Sequence, residues 1–161
     1  SSIIIPVSQA YVPSVKYYLL SFDEIIQQTP TWEKELFQNI TLTPGTKLKE
    51  LMEIIKFGNI IVASDGSVEG KSGTFGWVIA DKQTGCRLVE NSGWVRGGDP
   101  SSYRAEIFGG LSLCRYLLRV ANYFAIRPAT QIKWHCDNAS LVDKFQGNDP
   151  VPVILPETGG T

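Results

Sequence analysis

Histidine is almost absent from this chain of 161 residues, His135 being the single one, and cysteine is sparse, with Cys86, Cys114 and Cys136 far apart. A structural zinc site needs about four nitrogen or sulfur ligands at close spacing, so a zinc knuckle is not expected. Three isolated thiols are not a disulfide framework either; reduced thiols in strand or helix positions, in an intracellular compartment (cytoplasm or nucleus), are the expectation. No apolar run approaches the ~18 residues of a membrane helix. The start also lacks the charged-then-apolar layout of a signal peptide. Charge of one sign is not in excess, since 15 Lys and Arg stand against 16 Asp and Glu for a formal net charge of −1. Without a global basic field or a basic tail, a nucleic-acid partner must be met by a local patch or a neighbouring domain. Methionine occurs once, at Met52 and not at the start, so the chain is expected to be a fragment.

What is present is 43% hydrophobic residues, enough for one good core and an appended segment. Residues 1–58 open with Ile3-Ile4-Ile5 and are punctuated by Pro13, Pro30 and Pro44. Between these breakers the pattern predicts short helices, with Thr31 as an N-cap before Trp32 to Phe37. Leu48, Leu51, Met52 and Ile55 recur at i, i+3, i+4 and i+7, which predicts an amphipathic helix packed on the following domain or on a neighbour. No chemistry is legible there.

The central part, 59–146, carries three acidic stretches in order: Ser64-Asp65-Gly66-Ser67, Ser102-Tyr103-Arg104-Ala105-Glu106 and His135-Cys136-Asp137-Asn138. Asp65 follows the β-branched run Ile60-Ile61-Val62-Ala63, which reads as a buried strand with a carboxylate near its end. A turn-rich stretch leads to strands over 74–80 and 86–94, giving a three-stranded antiparallel meander. Gly97-Gly98-Asp99-Pro100 ends the sheet, and Ser101 or Ser102 caps a helix to about Phe124 with Glu106 in its first turn. Ala105, Gly109 and Ser112 give that helix a small face for close approach to the sheet. A fourth strand over 131–136 ends at Asp137, and a short helix starts at Asn138. The gaps of 41 residues from Asp65 to Glu106 and 31 from Glu106 to Asp137 fit a compact α/β domain in which three carboxylates converge. Hard oxygen ligands without a matching set of His or Cys favour magnesium or manganese over zinc, and so phosphate chemistry.

Each feature taken singly has a structural explanation. Asp-Gly is commonly a turn, Glu106 can complement a helix N-terminus and Asp137 can cap the helix after it. His135 reads as a core or sheet-face residue, Trp77, Trp94 and Trp134 as packing, and Arg96, Arg104 and Arg115 as solvated surface.

Taken together, the order β-β-β-α-β-α with Asp-Gly-Ser, Tyr-Arg-Ala-Glu and Cys-Asp-Asn resembles ribonuclease H. Ile-Val-Ala-Ser-Asp-Gly-Ser, Phe-Gly-Trp-Val and Ser-Ser-Tyr-Arg-Ala-Glu more closely resemble the ribonuclease H domains of retrotransposon-type reverse transcriptases. That resemblance covers 59–146 and implies an α/β fold with a mixed sheet. It implies cleavage of the RNA strand of RNA/DNA hybrids by a two-metal mechanism with Mg2+ or Mn2+, Asp65 bridging two ions and Glu106 and Asp137 sharing the remaining coordination. Gly66, Ser67, Ser102, Tyr103 and Asn138 would contact sugar hydroxyls or phosphates, the 2′-hydroxyl distinguishing RNA from DNA. Residues 1–58 would be the tail of a polymerase or connection region of the same polyprotein.

The family pattern continues with a fifth strand, a final helix and a fourth acidic residue, which are missing here; neither Asp143 nor Asp149 fits that fourth position. The edge beside the fourth strand is then expected to be open to pairing with another chain, unless Val151-Pro152-Val153-Ile154-Leu155 covers it. Residues 147–161 form a tail in which Leu-Pro-Glu-Thr-Gly resembles a sortase recognition sequence and reads as an engineered tag. Two readings stay open, a hybrid-specific ribonuclease or a catalytically incomplete module of the same fold that binds nucleic acid or a protein partner.

Overall fold

The computed structural model describes residues 2–5, 20–98, 101–127 and 132–136. In chain order they form β1 (Ser2–Ile5), α1 (Phe22–Gln27), α2 (Thr31–Lys34), β2 (Thr41–Leu42), α3 (Leu48–Phe57), β3 (Ile60–Glu69), β4 (Ser72–Asp81), β5 (Arg87–Trp94), α4 (Ser102–Tyr123) and β6 (Ile132–His135). The result is an α/β fold with one mixed sheet in the order β1-β6-β3-β4-β5-β2. The β3–β6 pair is parallel and every other pair antiparallel. Among the described residues no helix is long and apolar enough to cross a membrane.

Alternation builds the sheet. Ile60, Val62 and Ser64 on β3 turn to the buried face, as do Phe75, Trp77 and Ile79 on β4. Glu69 pairs with Ser72 across a tight turn at Gly70 and Lys71, so β3 continues four residues beyond Asp65 where a loose turn was expected from the glycines. Asp65 is therefore mid-strand in the β3–β4 hairpin, although on its other side the pairing with β6 stops at Ala63 and His135. The carboxylate lies just past the end of β6.

Helix α4 lies across the buried face. Ser101 caps it by accepting the Arg104 N–H at 3.1 Å. Glu106 consequently falls in the second turn, and the first turn holds no acidic residue. Small residues let the helix sink onto the sheet: a side-chain carbon at Gly109 would lie 3.2 Å from the Asp65 carbonyl oxygen. The other side of α4 is covered by α1 and α3, so its residues from Phe108 to Leu113 are all buried. The amphipathic α3 turns Leu51 and Ile55 inward, as its spacing predicts, and ends at Gly58 in the left-handed conformation, φ 72°. Thr31 is the first helical residue of α2 and not its cap; Pro30 stands at the cap position, its carbonyl accepting from Glu33 and Lys34.

The sheet is wider than the four strands expected. The open edge assigned to β6 is taken by β1, which pairs antiparallel from Ser2↔His135 to Ile5↔Ile132. Three consecutive isoleucines suit an extended strand, and an unpaired β6 edge would leave its backbone groups without partners. Val151 to Leu155, the other candidate cover, lies outside the described residues. Residues 1–58, expected to be mostly helical, thus supply both outermost strands.

Buried polar groups tie this segment to the rest. Ser112 donates to the Leu36 carbonyl while accepting from Trp77 Nε1 at 2.7 Å and Asn91 Nδ2 at 3.1 Å, and Asn91 Oδ1 accepts the Asn39 N–H at 2.9 Å. Glu33 is fully buried and bridges two guanidinium groups, Arg115 at 3.0 Å and Arg119. Arg115 also lies over the Trp32 ring, 5.3 Å from its centre. Removing the carboxylate leaves two mostly buried cations facing each other, so Glu33→Gln is expected to lower unfolding free energy by about 3 kcal/mol. Urea denaturation of the two proteins measures this; an unchanged midpoint would show that the cluster does not hold the segment in place.

Candidate functional site

Asp65 from β3 and Glu106 from α4 meet at the end of the sheet where β6 stops. Their approach depends on Gly66. A side-chain carbon there would lie 2.4 Å from the Ala105 carbonyl carbon and 2.5 Å from the Glu106 nitrogen. Only a residue without that atom lets the strand rest on helix backbone. The Gly66 N–H is 2.9 Å from Asp65 Oδ1 and also hydrogen-bonds to Glu106. Just past the end of β6, the buried Cys136 thiol donates to Glu106 Oε2 at 3.5 Å.

Glu106 is 6% exposed. Burial, first, holds its carboxyl above the ordinary value of 4.5; the adjacent Asp65 carboxylate acts in the same direction by charge and by hydrogen bonding, while the Gly66 N–H and the Cys136 thiol oppose them. Two acids sharing a partly dry site without a cation are unfavourable unless a proton or a metal ion joins them. The ion pairs among the described residues join Arg87 to Glu90 and Arg115 and Arg119 to Glu33, and none involves Asp65 or Glu106.

The other anticipated residues divide. Ser67, one alternation beyond Asp65, pairs its hydroxyl with that of Thr74 at 2.9 Å. Ser102 and Tyr103 are exposed on the first turn of α4. Asp137 and Asn138 lie outside the described residues, and among the described residues no three His, Cys, Asp or Glu side chains form a metal-holding group. Of the three cysteines expected as reduced thiols in strand or helix positions of the core, Cys114 is buried in α4, Cys86 is instead exposed just before β5, and Cys136 is buried yet faces Glu106, its adjacency to Asp137 having been the available signal. His135 is half-buried and, with Asp65, Gly76, Ser92, Asn39 and Cys136, lines an open cavity of about 600 Å3. Compared with protein-family models, curated proteins and solved structures, the chain matches none.

Two outcomes follow. Gly66→Ala forces its methyl against backbone that cannot rotate away, so a loss of about 3 kcal/mol in unfolding free energy is expected; a normal denaturation midpoint would mean the contact is looser. For Glu106, a raised carboxyl value in the fold means the native state holds its proton to higher pH than the unfolded chain. Stability therefore falls as pH rises from 4.5 through the raised value. In chelator, Glu106→Gln should melt higher than the parent at neutral pH, the difference vanishing below pH 4.5. Equal melting at both pH values would remove the burial penalty from the account.

Proposed function

We propose that this chain carries a ribonuclease H-type site, a divalent-metal-dependent endonuclease that cuts the RNA strand of RNA/DNA hybrids, as in a retrotransposon-type reverse transcriptase. The observation that carries the reading is the meeting of Asp65 and Glu106, from β3 and α4, beside the end of β6 where Cys136 contacts Glu106 and Asp137 follows. Topology supports it: an antiparallel β3–β4–β5 meander is followed by α4 and by β6 returning parallel to β3, the first five elements of the order on which the resemblance rests, while the short helix expected from Asn138 lies outside the described residues.

The residues present fit a hard divalent cation. Asp65 and Glu106 offer carboxylate oxygens with no Lys or Arg competing in the ion pairs described, and the penalty on Glu106 is the kind a cation relieves. Asp65, Glu106 and Asp137 would hold Mg2+ or Mn2+, which in such sites lowers the pKa of an attacking water and stabilises the leaving oxygen. The Gly66 N–H orients both carboxylates, and the Cys136 thiol restrains Glu106. Ser67, Ser102 and Tyr103, on the hairpin and the first turn of α4, are exposed hydroxyls in reach of a bound strand's sugars and phosphates.

Incubation of the chain with a labelled RNA/DNA hybrid in Mg2+ tests the reading. Cleavage confined to the RNA strand is expected, lowered about a thousandfold by Asp65→Asn and by Glu106→Gln. Cleavage surviving Asp65→Asn would overturn the site, and hybrid binding without cleavage would assign the chain to the non-cutting module instead.

A further inference from the structure

Trp94 departs from its expected role as packing. It is 54% exposed, whereas Trp77 and Trp134 are buried. Strand register places it. Trp94 pairs with Thr74 and Thr74 with Ser67, one alternation along from Asp65 on β3. Gly66, between Asp65 and Ser67, turns toward α4, so Asp65, Ser67, Thr74 and Trp94 share the opposite face of the sheet. The floor between the carboxylate and the indole is small and polar, made of Ser67, Thr74, Gly76 and Ser92.

The exposure is not that of a fraying strand end. The Gln38 side chain accepts the Trp94 N–H at 2.8 Å and donates to the Trp94 carbonyl at 2.8 Å, an amide acting as a neighbouring strand would. Gly93 rests on the same side chain, where a side-chain carbon would meet Gln38 Cδ at 2.6 Å. Beyond Trp94, Arg96 is exposed, and Arg104 from α4 donates to the Arg96 carbonyl, holding this basic corner against the start of the helix that carries Glu106.

We propose that Trp94 is a stacking platform for an unpaired base flanking the Asp65–Glu106 site, with Arg96 contacting its phosphate. This rests on the reading of that site as one that engages nucleic acid. A paired base inside a duplex has both faces occupied by its neighbours, so a flat indole on a fixed backbone selects a single-stranded flank. The positive charge of Arg96 and Arg104 and the polar floor suit a phosphate backbone rather than the apolar surface of a protein partner.

Binding is measured by fluorescence polarisation with the full chain carrying Asp65→Asn, to prevent cleavage, on a blunt RNA/DNA hybrid and on the same hybrid with a single-stranded overhang. The overhang should tighten binding about tenfold. Trp94→Ala should erase that preference, Trp94→Phe should retain most of it, and quenching of intrinsic fluorescence by the overhang should disappear in Trp94→Phe. Equal affinity for the two substrates, or a preference that survives Trp94→Ala, overturns the platform, as does failure to bind either. If the Asp65 protein never cuts yet the overhang preference and its dependence on Trp94 hold, the platform stands and the hydrolytic reading falls. Normal cleavage with no overhang preference removes the platform alone.

Discussion

A strand backbone lying directly on a helix backbone is the constraint on which this structure depends. Gly66 touches α4 at Ala105 and Glu106, and Gly109 on the helix returns the contact to the Asp65 carbonyl. Two missing side chains, one on each element, set the depth of α4 against the sheet. That depth brings Glu106 to Asp65, takes Glu106 out of water and lets one backbone N–H serve both carboxylates. A looser packing would leave Glu106 solvated, as Asp65 is, and the two acids would have little reason to bind anything in common.

The chain treats its two buried acidic centres in opposite ways. Glu33 is matched by two guanidinium groups and clamps the N-terminal segment to α4. Glu106 meets another carboxylate and a thiol. Desolvation penalises a charge in both places, but only Glu33 meets opposite charge; at Glu106 the Gly66 N–H and the Cys136 thiol offset the penalty in part. The uncompensated pair is where an external cation would gain most, and this contrast is the physical basis for placing function at one centre and stability at the other.

The N-terminal segment is a frame for the same face. β1 closes the β6 edge and β2 the β5 edge, while Gln38 and Asn39 satisfy backbone groups of β5 with their amides. Side-chain amides in place of ladder bonds hold Ser92 and Trp94 rigid without extending the strand. An exposed indole and the open cavity above Asp65 follow from that arrangement.

Much was legible in the residues alone. The alternation in β4 and β5, the Ser101 cap and the stripe on α3 are local patterns, and local propensity determined those elements. The meeting of Asp65 with Glu106 was also legible as part of the expected carboxylate convergence, although Asp65 was read at a strand end and lies mid-strand, because nothing local to Gly66 shows that β3 goes on pairing with β4 to Glu69. Long-range contacts were not. Nothing in Ile3-Ile4-Ile5 names β6 as its partner, because any exposed strand edge satisfies an extended backbone equally. Nor does Glu33 announce Arg115 and Arg119, which lie 82 and 86 residues away, or Trp94 its exposure, since alternation assigns a side chain to a face but not what covers that face. The sequence by itself determined the central strands, α3 and α4, and that Asp65 and Glu106 can meet; the tertiary structure alone decided how dry Glu106 is, that residues 1–58 supply the outer strands and which tryptophan stays in solvent, because burial and pairing depend on segments distant in the chain.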